Sequence, residues 1–254
     1  MDFNPFSLEG KNIIITGASS GLGRQCAIDC SRMGARIVAI GRNTERLQGA
    51  MGQLAGTNHV SYLFDLTDFE GMSSLVSNIA QDIGRIDGLV NCAGISNTLP
   101  LKMFTKEKLD VFFQTNVYST ILLSKEICRS SRINSLGGSI IFLSSVMGCV
   151  GDIGKTLYGM TKGALLSAVH SLACEYAPRN IRFNCISPGV IRTPINEDQP
   201  YMLDEDLREK IEKKHLLGFG KSSDISSAVI YLLSEASRWI TGQNLIVDGG
   251  YTVR

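Results

Sequence analysis

Short apolar runs rich in β-branched residues recur along the whole chain, and the segments between them repeat their apolar positions at helical spacing. A continuous apolar run predicts a buried strand, whereas the longer period predicts a helix that buries one face. Seven strands are predicted in this way, at residues 12–16, 36–40, 60–64, 88–91, 139–144, 182–186 and 244–247. Because helical segments separate them, the strands are expected to run parallel.

Several of these runs are apolar at consecutive positions, as in Ile13, Ile14 and Ile15. Alternate side chains of a strand point to opposite faces of its sheet, so such strands must be covered on both sides. The pattern therefore predicts a doubly wound α/β fold with about seven parallel strands and helices on both faces. The length of 254 residues is typical of one domain, residues 1–254.

Local signals mark helix ends. Gly34 is expected to end a first helix at residues 24–33, since glycine is favoured just past a helix terminus. Thr67 and Glu70 are spaced as a capping box, which predicts that the next helix begins there.

Residues 193–223 interrupt the regular alternation. Pro194, Pro200 and a charged helical segment at 204–214 follow directly after a predicted strand end. We expect this region to form a lid over a substrate site, with a surface excursion of no catalytic role as the alternative.

Charge and cysteine content narrow the class of partner and the compartment. The chain carries 25 Lys and Arg against 24 Asp and Glu, which argues against nucleic acid or an anionic membrane as partner. No apolar run approaches the roughly 18 residues of a membrane span, and no export signal opens the chain. Seven cysteines, an odd number, indicate reduced thiols and a cytoplasmic protein. Cys26 and Cys30 lack a third ligand at suitable spacing, so no metal site is predicted.

The first predicted strand leads directly into a glycine-rich turn. Residues 16–23 read Thr-Gly-Ala-Ser-Ser-Gly-Leu-Gly, and a helix follows. Glycines let the backbone approach an anion, and the free N–H groups at the helix start can hold a pyrophosphate. The position predicts a bound nucleotide, and a tight turn without ligand is the alternative.

The end of the second strand bears on the choice of nucleotide. A carboxylate that binds the ribose of NAD is expected there, but the sequence reads Ile40-Gly41-Arg42. Arg42 could pair with a 2′-phosphate, which favours NADP(H) over NAD(H). A solvated arginine at a strand end is the alternative.

Tyr158 and Lys162 are four residues apart in a predicted helix at 157–176, so their side chains can project from one face. A phenol titrates near 10, and a nearby cation would lower its pKa toward the range of a useful acid or base. The pair alone recurs by chance too often to identify a site.

The spacing G-x-x-x-G-x-G of the turn resembles that of the short-chain dehydrogenase/reductase family, and the resemblance covers essentially the whole chain. It implies a Rossmann-type fold and hydride transfer between a nicotinamide and a carbonyl/alcohol pair. Asn116, Ser145, Tyr158 and Lys162 match the catalytic tetrad of the family. By resemblance, Tyr158 transfers the proton, Lys162 also binds the nicotinamide ribose, Ser145 orients the substrate oxygen and Asn116 holds a water.

The resemblance also implies the cofactor-binding positions, among which Cys92 replaces an asparagine of the family. They are Gly17, Ser19, Ser20, Gly21, Leu22, Gly23, Arg42, Asp65, Leu66, Asn91, Ala93, Gly94, Tyr158, Lys162, Pro188, Gly189, Ile191 and Thr193.

Substrate walls are expected at residues 95–99, 146–156 and 193–217, which mix apolar residues with the lid acids Glu197, Asp198, Asp204, Glu205 and Asp206. The whole pattern most resembles 3-oxoacyl-carrier-protein reductases, and dehydrogenases of sugars, polyols or alicyclic alcohols are the alternative. An acyl carrier protein would need a basic rim, for which Arg129, Arg132, Lys155 and Arg179 are candidates.

The resemblance further implies a tetramer or dimer formed through helices 106–129 and 157–176. A dinucleotide sensor without chemistry and a structural subunit are the rival hypotheses.

Overall fold

The computed structural model describes residues 4–253, apart from the side chain of residue 200. Its centre is one sheet of seven parallel strands in the order β3-β2-β1-β4-β5-β6-β7. The strands are β1 (Asn12–Thr16), β2 (Arg36–Gly41), β3 (Val60–Leu63), β4 (Gly88–Asn91), β5 (Gly138–Leu143), β6 (Ile181–Pro188) and β7 (Asn244–Val247). The predicted doubly wound α/β fold is confirmed, and each strand lies within two residues of its predicted bounds.

Nine α-helices occur among the described residues, four of them within the span of 106–203. They are α1 (Gly21–Arg32), α2 (Thr44–Met51), α3 (Met72–Ile83), α4 (Lys106–Phe113), α5 (Ser119–Ile127), α6 (Thr156–Tyr176), α7 (Pro200–Leu203), α8 (Glu205–Glu212) and α9 (Ser222–Leu233). A π-helical turn, Gln114–Tyr118, joins α4 to α5.

The consecutive apolar positions of the strands divide between two cores. Ile14 belongs to the core on one face, which also contains residues of α3, α5 and α6. Ile13 and Ile15 belong to the core on the other face, together with residues of α1 and α9. All three isoleucines are fully buried, as expected of a strand covered on both sides.

The predicted capping box was wrong. Helix α3 begins at Met72, and the amide and hydroxyl of Thr67 both donate to Asp65 Oδ1, at 2.9 and 2.8 Å. Asp68 accepts instead from the amide of Gly71, the residue before the helix, at 3.0 Å. A tight turn after β3 therefore takes up the residues that the local pattern assigned to a helix start.

The strand order changes direction between β1 and β4, which are adjacent in the sheet. The connections from these two strands leave toward opposite faces, and a cleft opens beyond their carboxyl ends. Within the described part of the chain, no helix has the length and apolar character needed to cross a membrane.

Candidate active site

Two cavities of about 390 and 630 Å³ lie along the carboxyl edge of the sheet. Both are lined by Leu22, Cys92, Gly94, Thr193 and Ile195, so they form one continuous cleft. The smaller cavity contains the glycine turn and the end of β2, and the larger contains Ser145 and Tyr158. The cleft therefore has an end suited to an adenosine and a deeper end next to the candidate catalytic residues.

The glycine turn is closely packed. A Cβ on Gly23 would lie 2.3 Å from the backbone oxygen of Gly17, so only glycine fits there. Gly17 and Gly21 have φ values of +64° and +52°, a backbone conformation that side chains disfavour. These constraints bring the backbone to the surface of the cleft at the start of α1, where free N–H groups can bind a pyrophosphate.

At the outer end of the cleft, Arg42 lies 3.5 Å from Asp65, and both side chains are about half exposed or more. The amide of Thr67 and, to a smaller extent, Arg42 hold the pKa of Asp65 below its ordinary value, although burial opposes them. Arg46, in the first turn of α2, lines the same cavity. Sequence reasoning missed Arg46, although a second arginine four residues after Arg42 was visible beside the end of β2.

Lys162 is buried on α6, and its ammonium donates a hydrogen bond of 2.6 Å to the carbonyl of Leu143. The ammonium lies 5.6 Å from the centre of the Tyr158 ring. Burial lowers the pKa of Lys162 to about 8. The two side chains thus share one face of α6, and the helix turns that face toward the end of β5.

Ser145 follows β5 by two residues, and its hydroxyl accepts from the amide of Met147 at 3.2 Å. Burial raises the pKa of Tyr158 to about 12, and a hydrogen bond from Ser145 is the interaction that lowers it. The expected lowering by Lys162 is not found, because burial dominates at Tyr158 and the ammonium is directed to Leu143. Tyr158 consequently keeps its proton at neutral pH.

Asn116 lies in the π-helical turn and is buried. Its side chain accepts from the amide of Ile95 at 2.8 Å and donates to the carbonyl of the same residue at 3.0 Å. It also donates to the hydroxyl of Thr161 at 3.0 Å. Asn116 therefore joins the loop after β4 to α6 directly before Lys162, which is a positioning arrangement.

The segment after β6 is held by two residues of the lid region. His215 Nε2 accepts from the amide of Val190 at 3.1 Å, and its Nδ1 lies 2.9 Å from the carbonyl of Ile211. Asn196 accepts from the amide of Thr193 at 3.0 Å and donates to the carbonyl of Ile191 at 2.8 Å. Both are buried, and neither carried a sequence signal that distinguished it from a surface residue.

Most of the candidate cofactor-binding residues line the cleft. The exception is Asn91, a buried residue whose amide lies 3.5 Å from the hydroxyl of Ser124, below the floor of the cleft. The glycine turn and the two connected cavities fit a dinucleotide, since the backbone reaches the surface where the pyrophosphate would lie. Across the described residues, no cluster of three or more potential metal ligands is found, and all seven cysteines are free.

The lid acids do not line the cleft, whereas Lys210 and Lys214 do. The basic rim expected for a carrier protein is also not formed. Arg132 is buried against Glu126, and Arg129 pairs with the same carboxylate at 2.9 Å. Together with Arg179 they precede β5 and β6, at the amino end of the sheet, so of the four candidates only Lys155 lines the cleft.

Comparison with known proteins identifies the family to which this fold and site correspond. A family model described as "Enoyl-(Acyl carrier protein) reductase" matches residues 17–252. A 3-oxoacyl-[acyl-carrier-protein] reductase of Thermotoga maritima is 32% identical over 249 residues, which cover 97% of this chain and 99% of the relative. Gluconate 5-dehydrogenase of Gluconobacter oxydans is 32% identical over 251 residues, with 98% and 97% covered.

A solved structure from Sinorhizobium meliloti 1021, described as a short-chain alcohol dehydrogenase, superposes with a TM-score of 0.89. It shares 32% identity, and the match covers 98% of this chain and 99% of that one. Sequence and fold thus agree over nearly the whole length. The chain belongs to the short-chain dehydrogenase/reductase family and is an NAD(P)-dependent oxidoreductase that acts on carbonyl and CH–OH groups.

Proposed function

We propose that the chain is an NADP(H)-dependent reductase of a small carbonyl compound, with Tyr158 as the proton donor. The observation that carries this proposal is the convergence of Ser145, Tyr158 and Lys162 on one cavity that continues into the glycine turn. The nicotinamide, when bound, supplies or accepts the hydride. The remaining chemistry is a matter of holding the substrate oxygen and moving one proton.

Each residue has a separate task in this proposal. Ser145 donates a hydrogen bond to the substrate oxygen and fixes its orientation. Tyr158, whose pKa burial raises to about 12, keeps its proton until negative charge develops on that oxygen, which suits the direction of carbonyl reduction. Lys162 supplies a buried positive charge and holds the nicotinamide ribose. Asn116 maintains the geometry of α6, and its link to a water remains a prediction.

The preference for NADP(H) rests on the arginines at the outer end of the cleft. Arg42 and Arg46 line the cavity there, and within residues 4–253 the only carboxylate in its lining is Asp65, which lies next to Arg42. The hydroxyls of Ser19 and Ser20 add donors. Two guanidinium groups suit a 2′-phosphate better than a neutral ribose hydroxyl.

Two classes of substrate are compatible with the proposed reaction. The relatives named as a 3-oxoacyl-[acyl-carrier-protein] reductase and a gluconate 5-dehydrogenase stand for a thioester and a polyol acid. An acyl carrier protein would be a partner in the first case only.

The free cysteines support a cytoplasmic location. A tetramer or dimer through α4, the π-helical turn and α6 is supported by exposed apolar side chains on them, namely Val111, Tyr118 and Met160.

A carbonyl panel with NADPH tests the proposal. We expect loss of NADPH absorbance with at least one compound among 3-oxoacyl thioesters, keto sugars, oxo acids and alicyclic ketones. Tyr158→Phe should lower kcat by about 10²–10⁴-fold while NADPH still binds, because only the transferred proton is removed. A protein that binds NADPH but reduces no member of the panel would instead be the dinucleotide sensor, and full activity in Tyr158→Phe would remove Tyr158 from the mechanism.

A further inference from the structure

The larger cavity is basic on the substrate side. Besides Lys162, its lining contains Lys155 at the start of α6, and Lys210 and Lys214 on and just after α8. Among the described residues, the only carboxylate in the lining is Asp152, which lies 3.7 Å from Lys214. Three ammonium groups thus face one carboxylate, although the chain as a whole has nearly balanced charge.

Helix α8 is the element that sorts these charges. Leu207, Lys210 and Ile211 line the cavity from one face of α8. Lys214, two residues after the end of the helix, lines it as well. Two exposed acids of the helix pair with cations along its own surface. These pairs are Glu205 with Arg208 at 3.1 Å and Glu209 with Lys213 at 2.6 Å.

Lys155 is the least exposed of the three lysines. It is partly buried, and burial lowers its pKa. Among residues 4–253, its ammonium has one hydrogen-bond acceptor, the carbonyl of Asn97 at 3.4 Å, and no carboxylate within 4.0 Å. The ring of Tyr201 lies 5.7 Å from it. The nearby carboxylate of Asp152 favours the charged form of Lys155 but pairs with Lys214, so the Lys155 ammonium can still bind an anion from the substrate.

The location of Lys155 relates this charge to the reaction. Lys155 precedes Tyr158 by three residues, so the two lie on neighbouring positions of the same helical surface, with Cβ atoms about 5–6 Å apart in regular geometry. Both line the same cavity. A substrate whose carbonyl oxygen contacts Tyr158 and Ser145 would therefore place its next few atoms within reach of the Lys155 ammonium.

We propose that the substrate carries a carboxylate or phosphate group close to its reacting carbonyl, and that Lys155 binds this group and thereby determines specificity. The inference rests on the proposed function of the same site. An anion-binding Lys155 favours oxo acids and phosphorylated keto sugars as substrates. It disfavours 3-oxoacyl thioesters, neutral sugars and alicyclic ketones, because none of these three classes has an anion near the reacting carbon. Lys210 and Lys214 raise the positive potential around the group.

The test compares matched charged and neutral substrates. Acetoacetate and levulinate are paired with their methyl esters, and dihydroxyacetone phosphate with dihydroxyacetone, which separates carboxylate from phosphate recognition. We expect kcat/KM to be about 10- to 100-fold higher for one charged member than for its neutral partner, the range of a charge-assisted hydrogen bond. Lys155→Met should reduce this ratio to near one, and Lys155→Arg should retain most of it.

Lys213→Met is the matched control, because Lys213, directly after α8, does not line the cavity and pairs with Glu209. It should leave every ratio unchanged, and melting curves should show that all variants fold. Turnover of neutral compounds with no preference for charge, or a preference that survives Lys155→Met, would overturn the inference and leave the proposed function intact.

A binding measurement separates the two failures. Calorimetry of 3-hydroxybutyrate and its methyl ester with the NADP⁺-loaded protein should show binding of the acid that weakens at least tenfold in Lys155→Met. Such binding without any turnover would support the anion site and reject the proposed reductase. Absence of both would reject both.

Discussion

The ammonium of Lys162 donates a hydrogen bond of 2.6 Å to the carbonyl of Leu143, the last residue of β5, and both residues are buried. The bond ties α6 to the strand that ends two residues before Ser145. It also leaves a cation inside the protein, where burial lowers the pKa of Lys162 from its ordinary 10.5 to about 8. Lys162 is thus stabilising through its bond and destabilising through its charge.

Lys162→Met should therefore change stability in a pH-dependent way. Below the folded pKa of about 8, the wild-type protein bears the full cost of the buried charge. Between about 8 and 10.5 the folded protein has lost the proton while the unfolded chain still binds it, so wild-type stability rises with pH. We expect the free energy of unfolding of wild type relative to Lys162→Met to increase by about 3 kcal/mol across this window. Urea denaturation at several pH values measures it, and a flat difference would contradict the burial of a charged Lys162.

Asn116→Ala should disturb the site without touching the cleft. The change leaves the amide and carbonyl of Ile95 without their partner, which costs about 1–3 kcal/mol of stability. Activity should fall further than stability requires, because the contact between Asn116 and Thr161 helps to fix α6 beside Lys162. Asn116→Asp keeps the acceptor but loses the donors, so it should be intermediate in urea denaturation and in kcat. Equal activity in all three proteins at permissive temperature would mean that Asn116 has no positioning role.

Arg42→Ala should weaken the binding of NADPH and leave the binding of NADH unchanged. The guanidinium is 63% exposed, so we expect the KM for NADPH to rise by only about tenfold. Arg46→Ala should act in the same direction, because Arg46 lines the same cavity. Arg32→Ala is the control, since Arg32 pairs with Asp29 away from the cleft. A ratio of the two Michaelis constants that stays the same in both cleft variants would remove the case for the phosphate.

Two glycine variants separate packing from helix propensity. Gly23→Ala places a Cβ 2.3 Å from the carbonyl oxygen of Gly17, so the turn must shift and dinucleotide affinity should fall by at least tenfold, with a loss of about 1–3 kcal/mol in stability. Gly49→Ala, in α2, meets no atom within 4 Å and should stabilise the protein by about 0.5–1 kcal/mol. NADPH fluorescence titration and thermal melting follow the two effects. Undiminished NADPH affinity in Gly23→Ala would show that the turn does not shape the binding site.

The fold was predictable because the strands are covered on both faces. Runs such as Ile13-Ile14-Ile15 carry a signal that does not depend on distant residues, since both sides of each strand are buried. Thr67 and Glu70 had the spacing of a capping box, but Asp65 competes for the hydroxyl and amide of Thr67. Local propensity failed where a short side chain two residues away offered a better partner.

The site was predictable in its outline and not in its charges. Spacing alone could not tell that Lys210 and Lys214 line the cavity while the acids of α8 do not, because both sets follow the helical period. His215 contacts Val190 from 25 residues away, a relationship that only the folded chain creates. The raised pKa of Tyr158 likewise depends on burial, which the neighbouring Lys162 in the sequence does not reveal.

The parallel register of the sheet fixes the level at which the catalytic segments begin. Asn91 on β4 is opposite Phe142 on β5, and Phe142 is opposite Cys185 on β6, so the segments beyond these strands start at a common level. Inserting one residue in β5 would advance Ser145 by about 3.3 Å. The side chains of β5 that follow the insertion would also move to the opposite face of the sheet. Evolution of this protein can exchange one buried side chain for another of similar volume, but it can hardly lengthen these strands.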